Sequence, residues 1–143
     1  MDELIKLHNA INQLINNWDS LIDKFIRDFE PYFIDIVQDQ LSKGKGGNGG
    51  NLDTYASNEY ARFKKSIGSI SSPIADLKLT GDFYEGMTMD DNLEIFSTDW
   101  KDELLHRQFG DDITEVSTDN MNKLIKDQIL PEFEAFIKKQ LGL

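Results

Sequence analysis

Few side chains here have catalytic chemistry to offer. There are two histidines, His8 and His106, and no cysteine. Asp102 precedes His106 by four residues, so on a helix the two share a face, and an aspartate that orients a histidine is half of a nucleophile-activating triad. No nucleophile-elbow pattern accompanies them, and a surface Asp–His pair is the plainer reading. Carboxylates are plentiful: Asp90-Asp91, Asp111-Asp112, and Asp99 with Asp102-Glu103 could be written as a magnesium or calcium site or as a glycosidase acid pair. None has the alternating Asp/Asn, central Gly and terminal Glu of a calcium loop. Aspartate caps helices and favours turns, which produces such clusters without any catalytic need. Two histidines leave a zinc or iron site poorly supplied, and the missing cysteines exclude thiolate metal sites, disulfides and a Cys nucleophile. This reading assigns no catalytic residue, cofactor-binding residue, metal ligand or cofactor, and expects no enzyme.

Two stretches could bind phosphate. Gly44 to Asn51 reads G-K-G-G-N-G-G-N and holds five of the ten glycines. A nucleotide-binding loop needs G-K-S/T entering a helix after a strand, and that context is missing. The stretch, taken as an insertion over residues 43–52, reads as a flexible loop that becomes ordered against a partner. Arg62, Lys64 and Lys65 form the most basic spot in the chain. They could touch a nucleic-acid backbone, but three solvated charges on the outer face of a helix are the plainer reading.

The elements around these residues are mainly helical. Leu4, Leu7, Ile11, Leu14, Trp18, Leu21 and Phe25 recur in steps of three and four, which predicts one amphipathic helix from about Asp2 to Phe29. Pro31 restarts the chain as a second helix with Phe33, Ile36, Val37 and Leu41 on its stripe. A short helix follows Ser57, carrying Tyr60, Phe63 and Ile67. The period then changes. Thr80-Gly81-Asp82 signals a turn, and Phe83 to Met89 reads as a strand, with one helical turn possible at its start. Asp90-Asp91-Asn92 is a hairpin turn, and Leu93 to Ser97 the returning strand. Thr98 or Asp99 would cap a helix ending at Gly110. Asp111 to Val116 is a connector or edge strand, and Ser117 or Thr118 caps a final helix that Pro131 must kink or restart. The segments beginning at Pro31 and Pro131 resemble each other as shared helix grammar: proline at the first position, then an apolar stripe.

At 143 residues the chain has the size of one domain and the apolar content of a folded one. The net charge of −11 is uneven. Residues 1–75 hold 8 Lys+Arg against 10 Asp+Glu, and residues 76–143 hold 7 against 16, so the second half carries −9 and repels nucleic acid. The acidic start of the sequence suggests no signal peptide, and the longest apolar runs fall short of a spanning helix, so a host cytosol is the default location and a membrane is not an expected partner.

The stretch L-K-L-T-G-D-F-Y-E-G-M-T-M, followed by L-E-I-F-S-T-D, then L-L-H-R-Q-F-G-D-D-I and N-M-N-K-L-I-K-D-Q-I-L-P-E-F-E-A-F-I-K-K-Q-L, resembles the tail-completion and neck (head-to-tail connector) proteins of tailed bacteriophages. The resemblance covers roughly residues 76 to 141. It implies a virion structural protein that forms a homo-oligomeric ring, commonly of six or twelve copies, at the head-to-tail junction or the upper end of the tail. Its partners would be portal and tail proteins, with packaged DNA passing through the channel at most non-specifically. The location implied is the virion, with the host cytoplasm during assembly. An acidic cytosolic adaptor or inhibitor that covers a basic partner surface is the alternative.

The sequence thus predicts one α+β domain over residues 1–143: a long N-terminal helix pair, a small antiparallel sheet near residues 79–97 and an amphipathic C-terminal helix. The expected core is Leu14, Trp18, Leu21, Phe25, Phe33, Val37, Phe63, Leu79, Phe83, Ile95, Leu104, Leu105, Leu124, Ile125, Phe133 and Ile137.

Overall fold

The computed structural model describes residues 2–143, and it is a helix-rich α+β fold with one small antiparallel sheet. The helices are α1 (Asp2–Asn16), α2 (Trp18–Arg27), α3 (Glu30–Ser42), α4 (Asn58–Ser66), the single turn α5 (Asp82–Glu85), α6 (Asp102–Phe109), α7 (Thr118–Leu124) and α8 (Leu130–Gln140). Strands β1 (Met87–Met89) and β2 (Ile95–Ser97) pair with Met87 opposite Ser97 and Met89 opposite Ile95. The chain gathers into two compact units, one of the residues before Glu30 with Asn122–Leu143, the other of Glu30–Met121.

In the first unit the expected single helix divides at Asn17. There φ is −108° and ψ 13°, and the side-chain amide donates to the Gln13 carbonyl at 3.0 Å. An asparagine that bonds its own backbone offers the chain an alternative to helix. Helix α2 meets α8 through aromatic rings: Trp18 and Phe25 stand edge-on to Phe133 at 6.2 and 5.4 Å, and Phe25 also meets Phe136 at 5.1 Å. Such pairs are worth ~0.5–1.5 kcal/mol each beyond their buried area. The interruption expected at Pro131 takes the form of a π turn over Ile125–Ile129, in which the Leu130 N–H reaches back five residues to the Ile125 carbonyl. That wider turn lets the helix run on through a residue with no N–H to give. Pro131 then sits in the first turn of α8, as Pro31 does in α3.

The second unit is built round Val37, Leu41, Phe83, Tyr84, Met87 and Ile113, with Ile34, Leu77, Leu105 and Phe109 packed against them. Polar side chains pin α3 to its surroundings. Glu30 accepts the Met89 N–H at 2.7 Å, and Gln38 donates to the Tyr84 carbonyl at 2.8 Å. The buried Gln40 donates to the Glu115 carbonyl at 2.9 Å and accepts from the Ser117 N–H and the Asn120 amide, both at 2.9 Å. A buried amide with three partners specifies one register for the segment it grips.

Several expectations are corrected. Trp18, Phe63, Leu79 and Leu104 are exposed, whereas Ile113, read as part of a connector, is fully buried in a 3₁₀ turn over Asp111–Thr114. The helical turn allowed for at the start of Phe83 to Met89 is there, as α5 with Phe83 and Tyr84, and the strand after it is confined to Met87–Met89. Leu93 is outside β2, at φ 63° in the hairpin turn, which Asp90 holds by accepting the Asn92 and Glu94 N–H groups at 2.8 and 3.0 Å. Helix α6 starts at Asp102; Asp99 instead caps a turn at the Lys101 N–H, 2.9 Å away. The glycine loop, expected to await a partner, is ordered within the chain. It closes through a Lys45–Asn51 bridge, and the Gly47 N–H donates to the Asp112 carbonyl at 2.9 Å. A Cβ at Gly47 would lie 2.7 Å from that carbonyl oxygen, so only glycine allows the approach.

Candidate functional site

A cleft in the second unit has a buried ion pair for its floor. Residues 53–55 and 73–75 run antiparallel, with a Thr54–Ile74 bridge, the Tyr55 N–H on the Pro73 carbonyl and the Ala75 N–H on the Asp53 carbonyl, both at 2.9 Å. This pairing sets the Tyr55 ring beside Asp76. Ser57, extended at φ −127°, caps α4 by accepting the Tyr60 N–H at 3.1 Å, which starts the helix in the phase that turns Lys64 inward.

Lys64 is 2% exposed and Asp76 5%. Their charged ends are 2.9 Å apart. The Lys64 ammonium also donates to the Lys78 carbonyl and lies 5.9 Å from the Tyr55 ring centre. Asp76 accepts from the Tyr55 hydroxyl at 3.0 Å and from the Lys78 N–H at 3.0 Å, while its own carbonyl accepts the Tyr84 hydroxyl. Burial acts to raise the Asp76 carboxyl, but hydrogen bonds from Lys64, the Lys78 N–H, Tyr55 and Ser69 outweigh it and hold the group below its ordinary 3.8. Burial pushes the Tyr55 phenol up to about 12, and Tyr84 rises for the same reason, with the Asp76 charge adding to it. Both tyrosines therefore stay neutral donors. The network forces Leu77 into the left-handed region at φ 58°, a conformation a leucine adopts only when its neighbours over-determine it.

Above this floor the cleft has a volume of about 430 Å³, within the range of ligand and peptide sites, and its walls are chiefly apolar and aromatic. Tyr60, Leu79 and Phe109 form part of the wall and Trp100 stands at the rim. Trp100 is 79% exposed and Leu79 58%. Tyr60 continues the aromatic surface to Phe63, with ring centres 6.0 Å apart. The Lys101 ammonium lies 5.2 Å from the Trp100 ring and 2.8 Å from Asp99. Lys64, Lys78 and Lys101 line the cleft with Asp76 and Asp82, and with Asp99 on Lys101 the charges balance, in a chain of net −11.

The residues singled out for chemistry are engaged elsewhere. His106 Nε2 is 3.3 Å from Asp102 and 3.5 Å from the Thr114 hydroxyl. A relay needs its carboxylate on one ring nitrogen and its nucleophile on the other. Here both contacts fall on Nε2, and the Thr114 hydroxyl already donates to the Ile95 carbonyl at 2.7 Å. Asp102 accepts the Ser97 N–H at 2.9 Å, and Asp112 accepts the Asn48 N–H at 3.1 Å. Among the described residues no three His, Asp or Glu side chains form a group placed to hold a metal, and no helix is long and apolar enough to cross a membrane. Of the basic cluster, Arg62 and Lys65 are exposed and Lys64 is the buried member, which corrects the reading of three solvated charges. Sequence reasoning missed Lys64 and Asp76 as a pair. The one available signal was the spacing of Tyr60, Lys64 and Ile67, which places the lysine on the same stripe as apolar residues. Comparison of the chain with protein families, curated proteins and solved structures gives no match.

Proposed function

We propose that this protein is an assembly subunit, working through contacts with other protein chains. On the likeness of residues 76–141 to tail-completion and neck proteins, that assembly is a homo-oligomeric ring at the head-to-tail junction or upper tail of a tailed phage. The observation that carries the assembly reading is the exposed apolar surface in each unit. Leu4, Ile5, Ile11 and Ile15 are exposed on α1, and Tyr60, Phe63, Leu79 and Trp100 around the cleft. Scattered apolar residues need no explanation, but clustered aromatic ones with a tryptophan at the rim have the composition of an interface centre. Of the carboxylates weighed as catalysts, Asp90, Asp99, Asp102 and Asp112 accept backbone N–H groups, which supports a scaffold role.

The test is the composition of the particle. Peptide mass spectrometry of purified virions from a phage carrying this gene is expected to find the chain at six or twelve copies per particle. Its absence from virions overturns the ring reading. A defined 1:1 complex with an unrelated basic protein would instead support the adaptor reading, which rests on the −9 carried by residues 76–143.

A further inference from the structure

We infer that the Lys64–Asp76 cleft is the receptor for helix α1 of a second copy of this chain, an inference that rests on the assembly reading and names its contact surface. Helix α1 carries a wide apolar stripe. Leu7, Ala10 and Leu14 lie along one side of it and are buried or half-buried. Leu4, Ile11 and Ile15, spaced seven and four apart, form its other flank, where Leu4 and Ile15 are each 64% exposed. The chain's own core leaves that flank uncovered, and an amphipathic helix laid in a groove is read by anchors at this spacing. Eleven residues separate Leu4 from Ile15, about 16 Å of helix, so the stripe presents several anchors in line.

The cleft offers the complement. Its walls are chiefly apolar, Leu79 and Trp100 stand out from it, and Lys78 and Lys101 are among its lining. Asp2 and Glu3 are exposed in the first turn of α1, immediately before Leu4. With Leu4 entering the cleft, those carboxylates come to a mouth that holds Lys78 and Lys101. Glu3 pairs with Lys6 at 3.1 Å, an exposed pair that is readily exchanged, and Lys101 shares its charge with Asp99. Two different patches of one chain that fit each other make a head-to-tail contact, and repetition of such a contact closes a ring or extends a filament.

The chain has no cysteine, so the contact can be mapped by introducing them. Leu4→Cys and Leu79→Cys replace exposed side chains and leave the core intact. When the two variants are mixed and mildly oxidised, the expected product is a heterodimer in excess of either homodimer. Lys78→Glu in the Leu79→Cys chain is expected to lower its yield severalfold, whereas Leu93→Cys in place of Leu79→Cys, at another exposed leucine, gives no such excess. An equal yield at both positions overturns the inference. So does a chain carrying both Leu4→Cys and Leu79→Cys that closes on itself while the mixture forms no heterodimer, since α1 would then cover its own cleft. If the wild-type chain oligomerises but Leu4 and Leu79 do not cross-link, this surface falls and the assembly reading stands. If it neither oligomerises nor cross-links, both fall.

Discussion

Two contacts between an aspartate and a nitrogen-bearing side chain in the second unit invite comparison. Asp102 and His106 are four residues apart on α6, separated by 3.3 Å, with side chains 23% and 19% exposed. Asp76 and Lys64 are twelve residues apart, on a loop and a helix, separated by 2.9 Å and almost wholly buried. The first joins neighbours one turn apart on a helix face and is partly open to water. The second exists only because the 53–55 and 73–75 segments pair and present Asp76 to α4. Once desolvated, each of its charges depends on the other. The pair that looked catalytic braces a helix, and the lysine that looked solvated anchors the cleft.

The comparison breaks most sharply at Lys64. Lys64→Ala leaves Asp76 as an uncompensated buried charge, and urea unfolding at neutral pH is expected to show a loss of ~3–5 kcal/mol. Gly47→Ala tests the loop that packs against the 3₁₀ turn: its Cβ would meet the Asp112 carbonyl at 2.7 Å, and thermal unfolding should report a loss of ~1–3 kcal/mol. Tyr55→Phe removes one donor to Asp76 and should cost about 1 kcal/mol by the same unfolding measurement. His106→Ala is expected to change stability by under ~1 kcal/mol, because its partner Asp102 keeps the Ser97 N–H. A loss at His106 equal to that at Lys64 would erase the distinction.

Proton linkage sharpens the same contrast. The Asp76 carboxyl has a folded value below its ordinary 3.8, so its contribution is present above that value and is lost as pH falls through the lowered one. The Tyr55 phenol is raised from 10.0 to about 12, so its contribution is complete below 10.0 and is lost as pH rises through 12. A stability profile measured by urea unfolding should therefore fall at both ends. Tyr55→Phe should reduce the alkaline limb, of which Tyr84 keeps its share, and leave the acid one largely in place.

What was legible in the sequence was local. The helix stripes, the short helix after Ser57, the Asp90 turn and the α+β class follow from spacing within a few residues, and the structure has them. The cleft was not legible, because it is made by pairings across the chain. The spacing of Phe63, Leu79 and Leu104 suits a core, yet all three are exposed. An apolar stripe records that a face is covered, but not whether its own chain or another one covers it. Gln40 was invisible for a related reason: its three partners lie 75 to 80 residues away. The sequence assigned no residue to catalysis, cofactor or metal, and of the carboxylates weighed there Asp90, Asp99, Asp102 and Asp112 accept backbone N–H groups in the structure.

Sedimentation velocity of the wild-type chain beside Trp100→Ala, with thermal unfolding of both, tests the central claim most directly. Trp100 is 79% exposed, so the fold has little need of it. The account predicts a wild-type mass that rises with concentration to a multiple of the chain, a Trp100→Ala variant that stays monomeric over the same range, and one unfolding midpoint for both. A wild-type chain that remains monomeric at every concentration, or a Trp100→Ala variant that assembles as well as wild type, would contradict it.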